Sequence, residues 1–161
     1  MRRALAIALA ASATACGSSV DISQNCSMKV SVNGGAQQTV QCFAAGATTA
    51  GTSNAVSISM TGALPDIQAA QFAMTLPSAP SQRTYAAAAD VNTAAGQVRT
   101  ATNALYVQTI PGTVGTFSVV LTSVSAVSSG SDTAYFLHGS ATVTLVGQSG
   151  APGTATLIAT F

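Results

Sequence analysis

Cys26-Ser27-Met28-Lys29-Val30-Ser31-Val32-Asn33-Gly34-Gly35 is the most legible stretch of this chain. Apolar and polar residues alternate strictly from Cys26 to Val32, the period of two that sets one side of a strand against a core and the other against water. Asn33-Gly34-Gly35 is a turn signal, and Gln37 to Phe43 can return as the second strand. A three-residue loop at 33 to 35 sets Val32 opposite Ala36, Met28 opposite Val40 and Cys26 opposite Cys42. Gly35 would supply the left-handed conformation that such a loop with a bulge needs. Turn and cysteines agree, so the hairpin is expected to be closed by a Cys26–Cys42 disulfide. Enclosing about 15 residues, that bridge is worth roughly 3 kcal/mol in the chain-entropy model. A redox-active pair would normally be spaced CxxC, which these two are not.

The same rhythm continues outward from the hairpin. Ala44 to Asn54, rich in Gly, Ala and Thr, reads as a loop, and Val56, Ile58 and Met60 mark a third strand from Ala55 to Thr61. Ile67 to Leu76 gives a fourth, bounded by Pro65 and Pro77, and Pro80 closes the next loop. From Gln82 to Ala104 the signal blurs: Tyr85 and the alanines after it suit a short helix or an Ala-rich strand, and Gly96 permits a turn. Leu105 to Ile110 is a strand that stops at Pro111-Gly112. Val114 to Val124 is a long strand with Phe117, Val119 and Leu121 on one face. Ser128 to Ser131 makes a turn, and Ala134 to Val146 returns with Gly139 as a candidate bulge. After the loop Gly147 to Gly153, Ala155, Leu157, Ala159 and Phe161 share a face of the last strand. About eight strands without a long helix predict an all-β fold, an antiparallel β-sandwich with the disulfide-clipped hairpin at its N-terminus; a small β-barrel is the alternative.

The 161 residues suit one domain, expected over 26–161. Only 6% are charged, against about a quarter in an ordinary soluble domain. Glu is absent and Lys occurs only at Lys29, so the residues that normally clothe exposed helix faces are missing. Setting aside Arg2 and Arg3, Lys29, Arg83 and Arg99 stand against Asp21, Asp66, Asp90 and Asp132, three positive charges against four negative. No basic patch is left for phosphate, and nucleic acid is not an expected partner.

Met1, Arg2 and Arg3 form a charged start, Ala4 to Ala11 an apolar run, and Ser12 to Ala15 a small-residue end. That is the layout of a signal peptide, expected over 1–15. The apolar run is far short of the roughly 20 residues that span a bilayer. Ala13-Thr14-Ala15 satisfies the small-x-small rule of ordinary signal peptidase, and Ala13-Thr14-Ala15-Cys16 resembles the lipobox of bacterial lipoproteins, with Ala13 where Leu is commonest. The resemblance implies that Cys16 is acylated, becomes the mature N-terminus and anchors the chain to a membrane; Gly17 to Asn25, short, polar and Ser-containing, reads as a tether, so 16–25 is the expected lipidated tether. Thiol counting points the same way: if Cys26 and Cys42 pair, Cys16 is the one left over of the three cysteines. The expected location is the cell envelope, at the outer membrane or cell surface, with plain secretion or a periplasmic location as the alternative.

Candidate chemistry is sparse. His138 is the only histidine, and a triad would need it beside a nucleophile and an acid. Asp21, Asp66, Asp90 and Asp132 are scattered, so no calcium loop or carboxylate pair is visible, and Cys26 and Cys42 with one His fit no zinc pattern. No metal or cofactor is expected. Tyr85, Tyr106 and Tyr135 could serve a carbohydrate platform, although buried or edge positions are the commoner fate of tyrosines. The expectation is a non-catalytic structural or binding module for a protein or surface polymer. Its rivals are an enzyme built on His138, a self-assembling subunit with an unprotected strand edge, and a small outer-membrane barrel, whose last strand the Phe161 terminus resembles.

Overall fold

The alternating segment forms the centre of β1 (Gln24–Val32), which pairs antiparallel with β2 (Gln38–Gly46). In the computed structural model residues 24–46, 56–64, 66–110, 112, 114–129 and 132–161 are described. Residues 1–23, which include the expected signal peptide, Cys16 and most of the expected tether, and residues 47–55 lie outside them, while residues 44–46, expected in a loop, extend β2. Met28 faces Val40 and Cys26 faces Cys42, the register implied by the turn, and the two cysteines form a disulfide with Cα atoms 5.1 Å apart.

The turn itself departs from expectation. Asn33 (φ 52°) and Gly34 (φ 70°) take the left-handed conformation, not Gly35, and the Gly35 amide donates to the Val32 carbonyl at 2.9 Å. Asn-Gly is the pair that a two-residue hairpin turn with both central φ angles positive requires. The ladder begins at Val30 opposite Gln38, so the return side carries one residue more than the tight turn needs.

β3 (Val56–Leu64) and β4 (Ile67–Leu76) follow as a hairpin, and β4 stops where Pro77 has no amide to continue the ladder. The blurred region resolves into a two-residue strand β5 (Thr84–Tyr85), a single 3-10 turn over Ala88–Asp90 and an eight-residue strand β6 (Thr93–Thr100). Gly96, expected to permit a turn, instead sits inside β6. A Cβ there would press within 3.2 Å of Val143 Cγ1 and 3.4 Å of Leu145 Cδ2, so glycine answers to crowding by these two inward side chains. β7 (Leu105–Ile110), β8 (Thr116–Ser129), β9 (Asp132–Gln148) and β10 (Thr154–Thr160) complete ten strands among the described residues, two more than expected.

All ten join one antiparallel sheet in the order β10-β1-β2-β3-β4-β6-β7-β9-β8-β5, and β10 pairs also with β9. That extra pairing brings the sheet nearly to closure as a barrel. Of the two arrangements open to these strands, the chain takes the barrel-like one. β9 makes it possible by length: β7 pairs with Val146 to Gln148, β8 pairs onward from Thr144, and β10 takes the opposite edge.

Inward positions form the core. Met28, Val30, Val40, Phe72, Met74, Leu76, Val98, Phe117, Val119, Leu145 and Leu157 are almost wholly buried, and Phe72 and Phe117 approach with ring centroids 6.0 Å apart. The last strand behaves as its pattern predicts, with Ala155, Leu157, Ala159 and Phe161 all buried. Outward positions of the same strands carry Ser27, Lys29, Ser31, Thr39, Thr75, Gln97, Arg99, Thr116, Thr142, Thr144, Thr156 and Thr160. Burying apolar area at about 25 cal/mol per Å² drives this arrangement, and hydroxyl-bearing β-formers keep the outer face wet with few charges.

The end that holds the Asn33 turn is tied by hydrogen bonds between loops. The Asn33 amide donates to the Thr154 carbonyl at 2.8 Å, Asn33 Oδ1 accepts from the Thr154 amide at 3.1 Å, and the buried Tyr106 hydroxyl donates to the Pro152 carbonyl at 3.3 Å. Near the other end, Tyr85 is buried with its hydroxyl accepting from the Ser81 amide at 2.9 Å, and the Arg83 guanidinium lies 4.3 Å above its ring. Arg83 also pairs with Asp90 at 3.2 Å, while Asp90 Oδ2 accepts from the Ala87 and Ala86 amides at 2.9 and 3.1 Å.

Those two amides, with Arg83 adding to them, hold the Asp90 carboxyl below its ordinary value. A carboxyl depressed in the folded state contributes stability that is present above its unfolded value, about 3.9, and is lost as pH falls through the depressed one. The stability difference between the native chain and Asp90→Ala should therefore be constant from pH 7 to pH 5 and shrink below about pH 4. Paired urea titrations across that range check it, and a gap that persists at low pH would refute it.

Candidate functional site

β8 and β9 do not end where the barrel ends. Within the barrel β9 is flanked on both edges, by β8 and by β10; the β10 side finishes at Gly139, which exchanges two hydrogen bonds with Phe161, at 2.8 and 3.1 Å. Across from it the β8 ladder slips by one residue between Leu121 and Ser123, leaving Thr122 as the extra residue of a bulge. The bulge forecast at Gly139 is thus present, with the inserted residue on the facing strand. Beyond it the two strands run on as a hairpin arm from Ser123 opposite His138 to Ser129 opposite Asp132.

The arm has two unlike faces. Val124 and Tyr135 pack against the core and Leu137 belongs to it, whereas Ser125, Val127 and His138 are exposed. Val127, 55% exposed, is the most exposed large apolar side chain among the described residues. The arm also has two open edges. On the β8 side the last described partner is the Arg83 carbonyl, which accepts from the Leu121 amide at 3.0 Å, one residue beyond the β5 pairing at Thr84–Tyr85. On the β9 side it is Phe161 at Gly139. From Thr122 to Ser128 and from Thr133 to His138, no strand among the described residues pairs with the outer edges. Open edges expose a row of amide donors and carbonyl acceptors that another extended segment can use, and proteins ordinarily guard them with Lys or Pro. Thr122 to Ser128 holds neither, and no charge.

A second feature lies where β7 peels away from β9. Gln108 is completely buried, and neither its Nε2 nor its Oε1 has a hydrogen-bond partner among the described protein atoms. It sits opposite Gly96 and against Gly115, whose absent side chain leaves the room: a Cβ there would come within 3.2 Å of Gln108 Cβ and collide with the Thr144 carbonyl. An unsatisfied buried amide costs about 1 to 3 kcal/mol. Replacing Gln108 with Met, similar in volume and apolar, should raise the unfolding free energy by a comparable amount, about 1 to 3 kcal/mol. Urea unfolding measures this, and a drop in stability would show that the amide is bonded in the folded protein.

The residues singled out by sequence are not gathered. His138 is exposed across from Ser123, and its carbonyl accepts from Thr122 Oγ1 at 3.2 Å. Asp90 is engaged with Arg83, Asp66 lies at the β3–β4 turn, and Asp132 stands six residues along β9 from His138, about 20 Å of strand. Among the described residues no three His, Cys, Asp or Glu side chains cluster as metal ligands do. Tyr85 and Tyr106 are buried and Tyr135 is partly buried against the core, so the three tyrosines form no surface platform.

Comparison with protein-family models, with curated proteins and with solved structures finds no match for the chain.

Proposed function

We propose that this is an exported, lipid-anchored protein of the cell envelope, in which the barrel is a non-catalytic structural or binding module held near a membrane by Cys16. The single observation that supports it is the Cys26–Cys42 bridge. It uses two of the three cysteines, suits an oxidising compartment, and leaves Cys16 as the remaining thiol at the end of the small-residue stretch. The polarity of the barrel adds weight. A transmembrane barrel faces lipid with apolar residues and encloses a polar lumen; here the inward positions are apolar and the outward ones largely Thr, Ser and Gln. That reversal weighs against the integral-barrel alternative and in favour of a body that stands in water beside its anchor.

Mass spectrometry of the protein extracted from membranes tests the anchoring. The expected result is a chain starting at Cys16 with an acyl mass on it and a loss of two protons at Cys26 and Cys42. An unmodified Cys16 in a soluble fraction would overturn it. The self-assembling reading is favoured by one separate observation, the open-edged arm.

A further inference from the structure

We propose that the outer edge of β8 in the arm, from Thr122 to Ser128, is a self-association edge that pairs antiparallel with the same edge of a second copy of this chain. This goes beyond the anchoring proposal and does not depend on it. The groups left open are main-chain amides and carbonyls at strand spacing, so what they fit is an extended segment rather than a small molecule or a helix. Pairing a strand with its own copy about a two-fold axis brings the same short segment against itself, so any net charge it carried would face a like charge. The segment Thr122-Ser123-Val124-Ser125-Ala126-Val127-Ser128 has no charged residue to oppose it and no proline to interrupt the ladder.

Its composition suits the task, because Thr and Val are favoured on pleated surfaces. The exposed Val127 and Ser125 lie on one face of the strand. In an antiparallel pair of edges related by a two-fold axis, Val127 of each copy would meet the Ser123 to Ser125 stretch of the other, covering the apolar side chain that the isolated arm leaves in water. The bulge at Thr122 marks where the edge begins, since β5 and the Arg83 carbonyl occupy the same side of β8 up to Leu121.

Sedimentation equilibrium on the exported chain carrying Cys16→Ser tests this, because that substitution removes any acyl group and with it association through lipid. Dimers are expected at micromolar concentrations. Adding Ser125→Lys and Val127→Lys, both at exposed positions, should weaken association by at least about 100-fold through like-charge juxtaposition across the two-fold axis. The melting temperature and the far-ultraviolet dichroism of the monomer should stay unchanged. A wild-type arm that is monomeric to about 100 µM, or a lysine variant that assembles as before, would overturn the proposal. Hydrogen exchange separates one further outcome: a monomer whose Thr122 to Ser128 amides are all protected would mean that the chain covers its own edge, and this too would overturn it.

Discussion

Removing the Cys26–Cys42 bridge is expected to lower the stability of the folded chain by about 3 kcal/mol, a fall in melting temperature of roughly 10 °C for a domain of this size. The bridge spans a sequence separation of 16, and most of its effect is on the unfolded chain, which loses fewer conformations on folding when the loop is already closed. Its position adds a consequence in the folded state. β1 is held by β2 on one side and β10 on the other, and Met28 and Val30 on it are completely buried. Loosening the start of β1 therefore loosens the seam by which the sheet curls back on itself. Calorimetry of the native chain against Cys26→Ala with Cys42→Ala makes the measurement, with both thiols replaced so that no free sulfur confuses the result. A fall of less than about 3 °C would mean that the hairpin is held by its ladder and turn alone. The same experiment bears on compartment, since a protein that needs this bridge folds well only where disulfides persist.

How much of this could be read beforehand depended on local contrast. Where apolar and polar residues alternate sharply, as from Cys26 to Val32, strand, face and even the pairing of Cys26 with Cys42 were legible, because a slip of one residue would have turned Met28 and Val30 outward. β4 was legible for another reason: Pro65 and Pro77 bracket it. β6 was not. Its inward positions are Ala94, Gly96 and Val98, and Gly96 is small because Val143, Leu145 and Gln108 crowd the space a side chain would fill. Small residues carry little hydropathic contrast, so a fully regular strand looked like a helix start or a turn. The tight turn was misassigned for a subtler reason, because the ladder register fixes how many residues separate the strands but not which of them takes the left-handed conformation.

The candidate surface was less legible than the barrel, and for a physical reason. Ser and Thr are acceptable on strands and in loops alike, so the pattern ends the first strand at Val124 and places the turn at Ser128 to Ser131, whereas the strand runs on to Ser129. Only the ladder from Ser123 opposite His138 to Ser129 opposite Asp132 reveals an arm. Gln108 was hidden in the same way: the segment Leu105 to Ile110 has apolar residues on both faces, and period alone does not say that Tyr106 and Gln108 point inward. The scarcity of charge was visible from composition, and the arm gives it a location. On the barrel wall a neutral Thr-rich face only keeps water in contact, whereas on an unpaired edge the same neutrality removes the usual guard against a second strand.

Gly139→Ala should be the most damaging single-methyl addition at the root of the arm, costing about 3 kcal/mol, the upper part of the range for overpacking. Gly139 is not among the glycines with positive φ, so what it provides is space. A Cβ there would collide with the Val120 carbonyl oxygen and lie 3.1 Å from the carbonyl carbon and 3.2 Å from Leu121 Cα. These are backbone atoms, which cannot rotate away as a side chain would. Nor can β9 move aside, because Gly139 is bonded to Phe161 on its other edge, and any shift away from β8 would press on that pair. Gly34→Ala is the control, since Gly34 has φ 70° with nothing within 4 Å of the added Cβ; it should cost only the left-handed penalty, roughly 1 to 2 kcal/mol. Urea unfolding of both variants gives the comparison, and amide exchange at Gly139 and Phe161 shows whether the terminal pair opens. If Gly139→Ala costs no more than Gly34→Ala, the bulge at Thr122 yields freely, and the arm is hinged at its root instead of being an extension of the barrel wall.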